Sequence, residues 1–261
     1  MSADQPALVS VPPAGDYWRD SARPLVSLAF VAPLLLVYEG GALIVGSDTV
    51  RNGADLWLRQ LLDLAGFSQY FLLPLLTCGL LLAWHHARRE SWQIGGRFMA
   101  RMWLEAAAWG VGLLLVAQAA LLLHGNGLPR SAAAAMTGAQ PANDLTARFV
   151  GYLGAGIYEE LLFRLMLLPA TIALLRTARL SRQASLPTAV VLTSLMFAAA
   201  HYRMDAPLGL PVGWTCGEPF TPLGFVFRFA GGASLATLFA YRGFGIAVGA
   251  HAVYDLLVLQ F

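Results

Sequence analysis

The chain has 261 residues, 57% of them hydrophobic and 12% charged, with a mean hydropathy of +0.61, against about 45–50% apolar and 25% charged in an ordinary soluble domain. A chain of this size and apolarity cannot present a largely polar face to water, which excludes a conventional soluble globular protein and points to lipid as the solvent. All 17 basic residues are Arg and face 15 acids, a balance without the clustered positive surface that a nucleic-acid partner requires.

Residues 1–23 are polar, carry Pro6, Pro12 and Pro13 and lack an apolar h-region, so they are expected to form a polar lead and not a cleaved signal peptide. Residues 24–261 then form a single membrane domain. A bilayer core takes about 20 apolar residues per helix, and about seven stretches qualify on hydropathy: 24–45, 66–84, 102–123, 148–174, 187–203, 222–241 and 243–260. The runs are continuous and too long for alternating barrel strands, so the expected fold is all-α, a polytopic transmembrane helical bundle. Between the first two spans, Ala54, Trp57, Leu58, Leu61 and Ala65 repeat at helical spacing opposite Asp55, Arg59 and Asp63. That pattern predicts a short helix, either lying amphipathically on the outer interface or packed over the bundle. Segments 124–147 and 204–221 are rich in small, polar and turn-forming residues and read as loops. Cys78 sits in an apolar run and Cys216 in a loop, which argues against a disulfide framework or a cysteine metal site.

Arginine placement sets an orientation. Arg19, Arg23, Arg88, Arg89, Arg97, Arg101, Arg176, Arg179, Arg182 and Arg242 fall on one side of the spans, and Arg51, Arg59, Arg130, Arg148 and Arg203 on the other. The positive-inside rule puts the more basic side, and the N-terminus with it, in the cytoplasm.

Ionisable groups inside the spans are the informative residues, since each costs about 2.5–3.5 kcal/mol to insert unless it is paired or faces a cavity. Glu159, Glu160 and Arg164 lie together in YEELLFR. Glu160 and Arg164 are four apart with the acid N-terminal, the favourable order for an ion pair, while Glu159 points about 100° away and keeps its carboxylate for chemistry. Phe197 and His201 follow in FAAAH, and His251 and Asp255 in HAVYD, each pair one turn apart. A carboxylate, two imidazoles and a second acid form a set suited to activating water and stabilising an oxyanion. Glu39, Glu105 and Arg228 are further charges within spans; Arg228 needs a counter-charge, which Glu39 or Asp255 could supply, and a structural pair is the simpler reading than substrate recognition. Gly231 and Gly232 after it would let another backbone approach closely.

The motifs EExxxR at Glu159, Glu160 and Arg164, FxxxH at Phe197 and His201, and HxxxN/D at His251 and Asp255 resemble those of the CPBP family, which includes CAAX prenyl endopeptidases and bacteriocin-processing and self-immunity proteins. The resemblance covers residues 150–256, and its catalytic core would occupy about 148–261. It implies a glutamate-dependent intramembrane endopeptidase acting on a membrane-anchored peptide or protein, in a multi-pass protein of a bacterial cytoplasmic membrane. Glu159 would be the general base on the attacking water with His201 assisting, and His251 with Asp255 would face the oxyanion. An ionised Asp only accepts hydrogen bonds, so Asp255 is expected either to be protonated or, as the favoured alternative, to orient His251. Glu160, Arg164 and Phe197 would be supporting residues. Asp255 stands where prenyl-protein processing relatives often have Asn, which separates this chain from a simple CAAX assignment. Two His and a Glu are donors of the type that Zn²⁺ takes, but no HExxH pair is present and the ligands would come from three helices, so the expectation is chemistry without a metal or other cofactor, with Zn²⁺ as the alternative. Intramembrane Glu, His and Arg also serve proton relays, so the rival readings are a proton-coupled transporter, which lacks support from any inverted repeat or broken half-helix, and a non-catalytic scaffold that has kept the motif.

Overall fold

Uninterrupted runs of Leu, Ala, Val and Phe leave the backbone one economical way to satisfy its own hydrogen bonds away from water, the α-helix. The computed structural model describes residues 17–46, 53–67, 71–94, 96–123, 145–202 and 219–259, and among them every regular element is helical. The polar lead before Tyr17, most of the two long loops, and Arg51, Arg130, Arg203 and Cys216 lie outside these residues. In chain order the helices are α1 Tyr17–Ser21, α2 Pro24–Val45, α3 Gly53–Leu64, α4 Leu72–Arg88, α5 Gly96–Leu123, α6 Leu145–Glu160, a π-helical segment Leu161–Leu167, α7 Leu168–Thr177, α8 Arg182–Ala199, α9 Pro222–Arg242 and α10 Phe244–Val258. Each apolar stretch of the sequence overlaps one of these. By length and apolarity 3 of them are candidate membrane spans among the described residues: Pro24–Val45, Met99–Ala119 and Pro222–Arg242, with Phe244–Val258 as a shorter apolar helix.

The bundle is organised around α10, whose residues from Phe244 to Ala252 are buried without interruption. A helix that is apolar on all sides belongs inside, and α10 packs against α2, α5, α6 and α9. Small residues set how close these helices come. A Cβ placed on Gly156 of α6 would stand 2.8 Å from the backbone of Ala252, so α6 and α10 cross in backbone contact one turn before Glu159–Glu160 and between His251 and Asp255. Gly156→Ala is therefore expected to force the two helices apart, with a cost of about 1–3 kcal/mol for the overpacking and a loss of activity larger than the loss of folded protein. Thermal unfolding beside turnover of the folded fraction checks this.

The short helix α3 packs over the bundle against α6, the second of the two expectations for it, though with a different face inward. Its carboxylate Asp55 is fully buried and Leu61 is exposed, so part of the polar face, and not the whole apolar stripe, is turned inward against α6. The reason is a hydrogen-bonded cluster: Tyr38 donates to Asp55 at 2.9 Å, Arg59 donates to Asp55 at 2.7 Å and to Glu39 at 3.4 Å, and Tyr158 donates to Glu39. Glu39 is thus committed to Arg59 and Tyr158, and the expectation that it could neutralise Arg228 is set aside in favour of this pairing.

A second cluster ties α1, α5 and α9. Arg242 forms a two-pronged bond to Glu105, 2.6 Å on each oxygen, donates to the Trp18 carbonyl at 2.8 Å and stacks over the Trp18 ring. Tyr17 completes it with a 2.6 Å bond to Glu105; burial, then the neighbouring carboxylate, push the Tyr17 hydroxyl up to about 12, so it remains a donor at any physiological pH. Arg242, read from the sequence as a loop charge, is in fact 3% exposed, a planar fork matched to a carboxylate.

Candidate active site

Helix α6 delivers Glu159 and Glu160 at its C-terminal end, and the chain then widens into the seven-residue π segment Leu161–Leu167. Pro169 lies in the first turn of α7. A proline offers no N–H to the preceding turn and crowds the carbonyl four residues back, which the wider π geometry accommodates, and such segments recur at functional sites. The proline was visible in the sequence inside an apparently continuous span; the π segment was not.

Glu160 and Arg164 bridge as expected, 3.0 Å between Nη1 and Oε1, and are 0% and 1% exposed. Arg164 also donates to the Gly232 carbonyl at 3.2 Å and lies 4.3 Å over the Phe197 ring, so the guanidinium is held on several sides. Phe197 in turn stacks edge-on against Phe163 and His201, and a Cβ on Gly232 would come within 2.9 Å of its ring. Here the close approach allowed by Gly232 is to an aromatic side chain.

Glu160 makes a bond the sequence did not reveal. Its Oε1 lies 2.7 Å from His251 Nδ1, across 91 positions of chain, because the Gly156–Ala252 crossing draws α6 onto α10. A carboxylate paired to Arg164 accepts, so Nδ1 carries the hydrogen and Nε2 faces the other way. Asp255 stands 3.6 Å from that Nε2, beyond hydrogen-bond distance. The expectation that Asp255 orients His251 is therefore corrected: Glu160 holds the ring, and Asp255 flanks its open nitrogen.

His201, just past the end of α8, is fixed in the same fashion. Its Nδ1 lies 2.7 Å from the Phe197 carbonyl, which can only accept, so again Nε2 is the outward nitrogen. Both outward nitrogens converge on one carboxylate: Glu159 Oε2 is 3.7 Å from His201 Nε2 and 3.9 Å from His251 Nε2. Residues from three helical segments meet at one point, as the cost of leaving each alone in lipid requires. These separations are too long for direct bonds and suit a bridging water.

The three groups open onto a cavity of about 90 Å³, room for several waters. Its wall includes Asp255, Arg228, Tyr254 and Phe227 with an apolar remainder from α5 and α9. Tyr254 and Phe227 went unnoticed in the sequence; the phenol of Tyr254 inside HAVYD was the one available signal. Among the described residues, no group of three or more His, Cys, Asp or Glu side chains is arranged to hold a metal ion. With Nδ1 of each ring engaged, Nε2 of His201 and of His251 are the nitrogens that face Glu159, and two such imidazoles with a carboxylate are donors of the type that Zn²⁺ takes.

Comparison with known proteins bears on the same stretch of chain. Residues 141–257, a little under half of it, match the family described as type II CAAX prenyl endopeptidase Rce1-like, consistent with the CPBP resemblance. The matched region contains all three motifs and Arg228. Members of that family are proteases. No curated protein and no solved structure gives a significant match to the chain.

Proposed function

We propose, on the premise that residues 141–257 form an Rce1-like protease region, an intramembrane endopeptidase that hydrolyses a peptide bond of a membrane-associated protein or peptide with a water activated by Glu159. The observation that supports this most is the meeting of Glu159 with the two outward imidazole nitrogens at 3.7 and 3.9 Å on a cavity of buried polar groups. In this reading Glu159 takes a proton from the water, and the new hydroxide bonds to the substrate carbonyl carbon. His201 Nε2 holds the water's remaining hydrogen. The oxyanion accepts from His251 Nε2, which requires the doubly protonated ring, its charge balanced by Glu160 and Asp255. Collapse of the tetrahedral intermediate breaks the C–N bond, and the amine leaves with the proton that Glu159 returns. No step needs a metal.

The membrane setting is supported by large apolar side chains left outside the bundle, among them Leu75 on α4, Leu104 and Leu122 on α5, Leu174 on α7 and Met196 on α8. In water these would be a liability; in lipid they are the natural outer face. The reading extends to about seven crossings, one each for α2, α4, α5, the α6–α7 unit, α8, α9 and α10, with the N-terminus in the cytoplasm. Glu159, about 11 residues or roughly 16 Å below an outer boundary near Arg148 at 1.5 Å per residue, then lies in the middle to outer half of the bilayer, and cleavage occurs on the extracytoplasmic side. Cysteine labelling decides the orientation: an impermeant reagent applied to intact cells is expected to modify Arg130→Cys and spare Arg89→Cys. The reverse pattern moves the site to the cytoplasmic half.

The function itself is tested in liposomes carrying the purified protein and a lipid-anchored peptide. Cleavage that is insensitive to chelators and lost on Glu159→Gln supports the reading. Proton flux without cleavage favours a transporter, and chelator inhibition reversed by added Zn²⁺ favours a metal mechanism.

A further inference from the structure

A tyrosine buried in a helical bundle ordinarily finds a partner for its hydroxyl, because a polar group left unmet away from water costs free energy. Tyr254 on α10 does not. It is 9% exposed, yet among the described residues its hydroxyl makes no hydrogen bond, and that oxygen is not sealed off from open space. The space beside it is the cavity that Tyr254 lines together with Glu159, His201, His251 and Asp255. The ring is held from two sides, by Leu113 and Ala117 of α5 and by Phe227 of α9, with the Tyr254 and Phe227 ring centres 6.4 Å apart. A phenol so held presents a donor that neither the fold nor the proposed chemistry uses.

The helices on either side of Tyr254 leave a way in. Among the described residues, α5 and α9 each pack on α10 and touch each other little. Val116 of α5 is 61% exposed, Ala230 and Ser234 of α9 are also exposed, and all three line the cavity, which therefore reaches the outer face of the bundle along the seam between α5 and α9. The α9 side of the seam is low: Gly231 lines the cavity too, and a Cβ there would meet nothing within 4 Å. An apolar seam with a polar group at its base suits an extended peptide, whose side chains lie against Leu113, Val116 and Phe227 while its backbone groups, which lipid cannot satisfy, turn inward. The amide N–H groups of such a peptide have the carboxylates of the same wall as acceptors. A carbonyl needs a donor, and the phenol is one.

We propose that the seam between α5 and α9 is the substrate-binding groove, and that Tyr254 at its base donates a hydrogen bond to a backbone carbonyl of the bound peptide. This rests on the protease reading for the identity of the ligand as a peptide. Tyr254 is then a substrate-binding residue, whose loss weakens the complex before any chemistry. Every peptide carries backbone carbonyls, so the contact sets the register of the chain in the cavity and leaves the choice of side chains to the apolar wall.

A lipid-anchored fluorescent peptide is titrated against the Glu159→Gln protein in lipid nanodiscs, so that binding is read without turnover. Tyr254→Phe in that background keeps the ring and its packing and removes only the hydroxyl. It is expected to bind the peptide roughly 2- to 10-fold more weakly, the range of one neutral hydrogen bond. Peptides in which one amide at a time is replaced by an alkene of the same shape locate the partner. At one position the replacement is expected to weaken binding when Tyr254 is present and to matter less in Tyr254→Phe, the non-additivity of two groups in contact. Equal affinity with and without the hydroxyl overturns the proposal, as do effects that simply add at every position, or a peptide that neither protein binds. Gly231→Leu, which fills the seam where there is open room, is expected to fold and to block binding; full binding by the folded variant places the peptide elsewhere and overturns the groove. If the unmutated protein binds the peptide through Tyr254 and does not cleave it, the protease reading falls and the groove stands.

Discussion

Glu159→Gln is expected to lower the rate of cleavage by about 10²–10⁴-fold, the usual contribution of a positioned general base, while the protein folds as before. Gln fills the same volume and keeps the cavity's shape, but it cannot take a proton from water. Among the described residues the ionisable partners of this carboxylate are His201 and His251 at 3.7 and 3.9 Å, distances at which no direct bond is lost. Turnover of a lipid-anchored peptide, measured on protein that elutes as a single species, tests this. Retained activity in Glu159→Gln would remove Glu159 from the chemistry.

The neighbouring carboxylate is expected to fail in a different way. Glu160 and Arg164 are 0% and 1% exposed, so Glu160→Gln or Arg164→Ala strands one buried charge, at about 3–5 kcal/mol. Most of the folded yield should disappear. Replacing both at once by apolar residues of similar volume, Glu160→Leu with Arg164→Met, strands neither member of that pair, leaves only His251 Nδ1 without its acceptor, and is expected to restore part of the stability. Activity should stay lost in that double variant, because His251 Nδ1 no longer has the Oε1 that holds it at 2.7 Å. A double variant that regains both stability and cleavage would show that Glu160 serves the fold alone.

The contrast between these two adjacent glutamates shows how far the sequence could be read. Spacing of four put Glu160 with Arg164 and turned Glu159 away, and the structure agrees on both counts. Helical spacing describes one helix at a time, however, and the Glu160–His251 bond joins two helices whose separation depends on Gly156 meeting the backbone of Ala252. No periodicity within either helix reports that crossing. Asp255 was given the orienting role for the same reason: it is one turn from His251 on the same helix, and the competitor on α6 was out of sight. The cluster of Tyr38, Glu39, Asp55, Arg59 and Tyr158 escaped by the same route, since apolar periodicity in α3 predicts which face is greasy but not that Asp55 has a tyrosine and an arginine waiting for it. Apolar run lengths located the helices well. They did not reveal the widening ahead of Pro169, which changes the pitch of the chain without changing its composition.

Hydrolysis in H₂¹⁸O by the purified protein in lipid, with mass analysis of both fragments of an anchored peptide, tests the central claim most directly. The account predicts one ¹⁸O in the new carboxylate of the N-terminal fragment, none in the amine fragment, and both fragments from the Glu159→Gln protein at a rate about 10²–10⁴-fold lower. An intact peptide after prolonged incubation with folded, unmutated protein, or the same labelled fragments formed by Glu159→Gln at an undiminished rate, would contradict it.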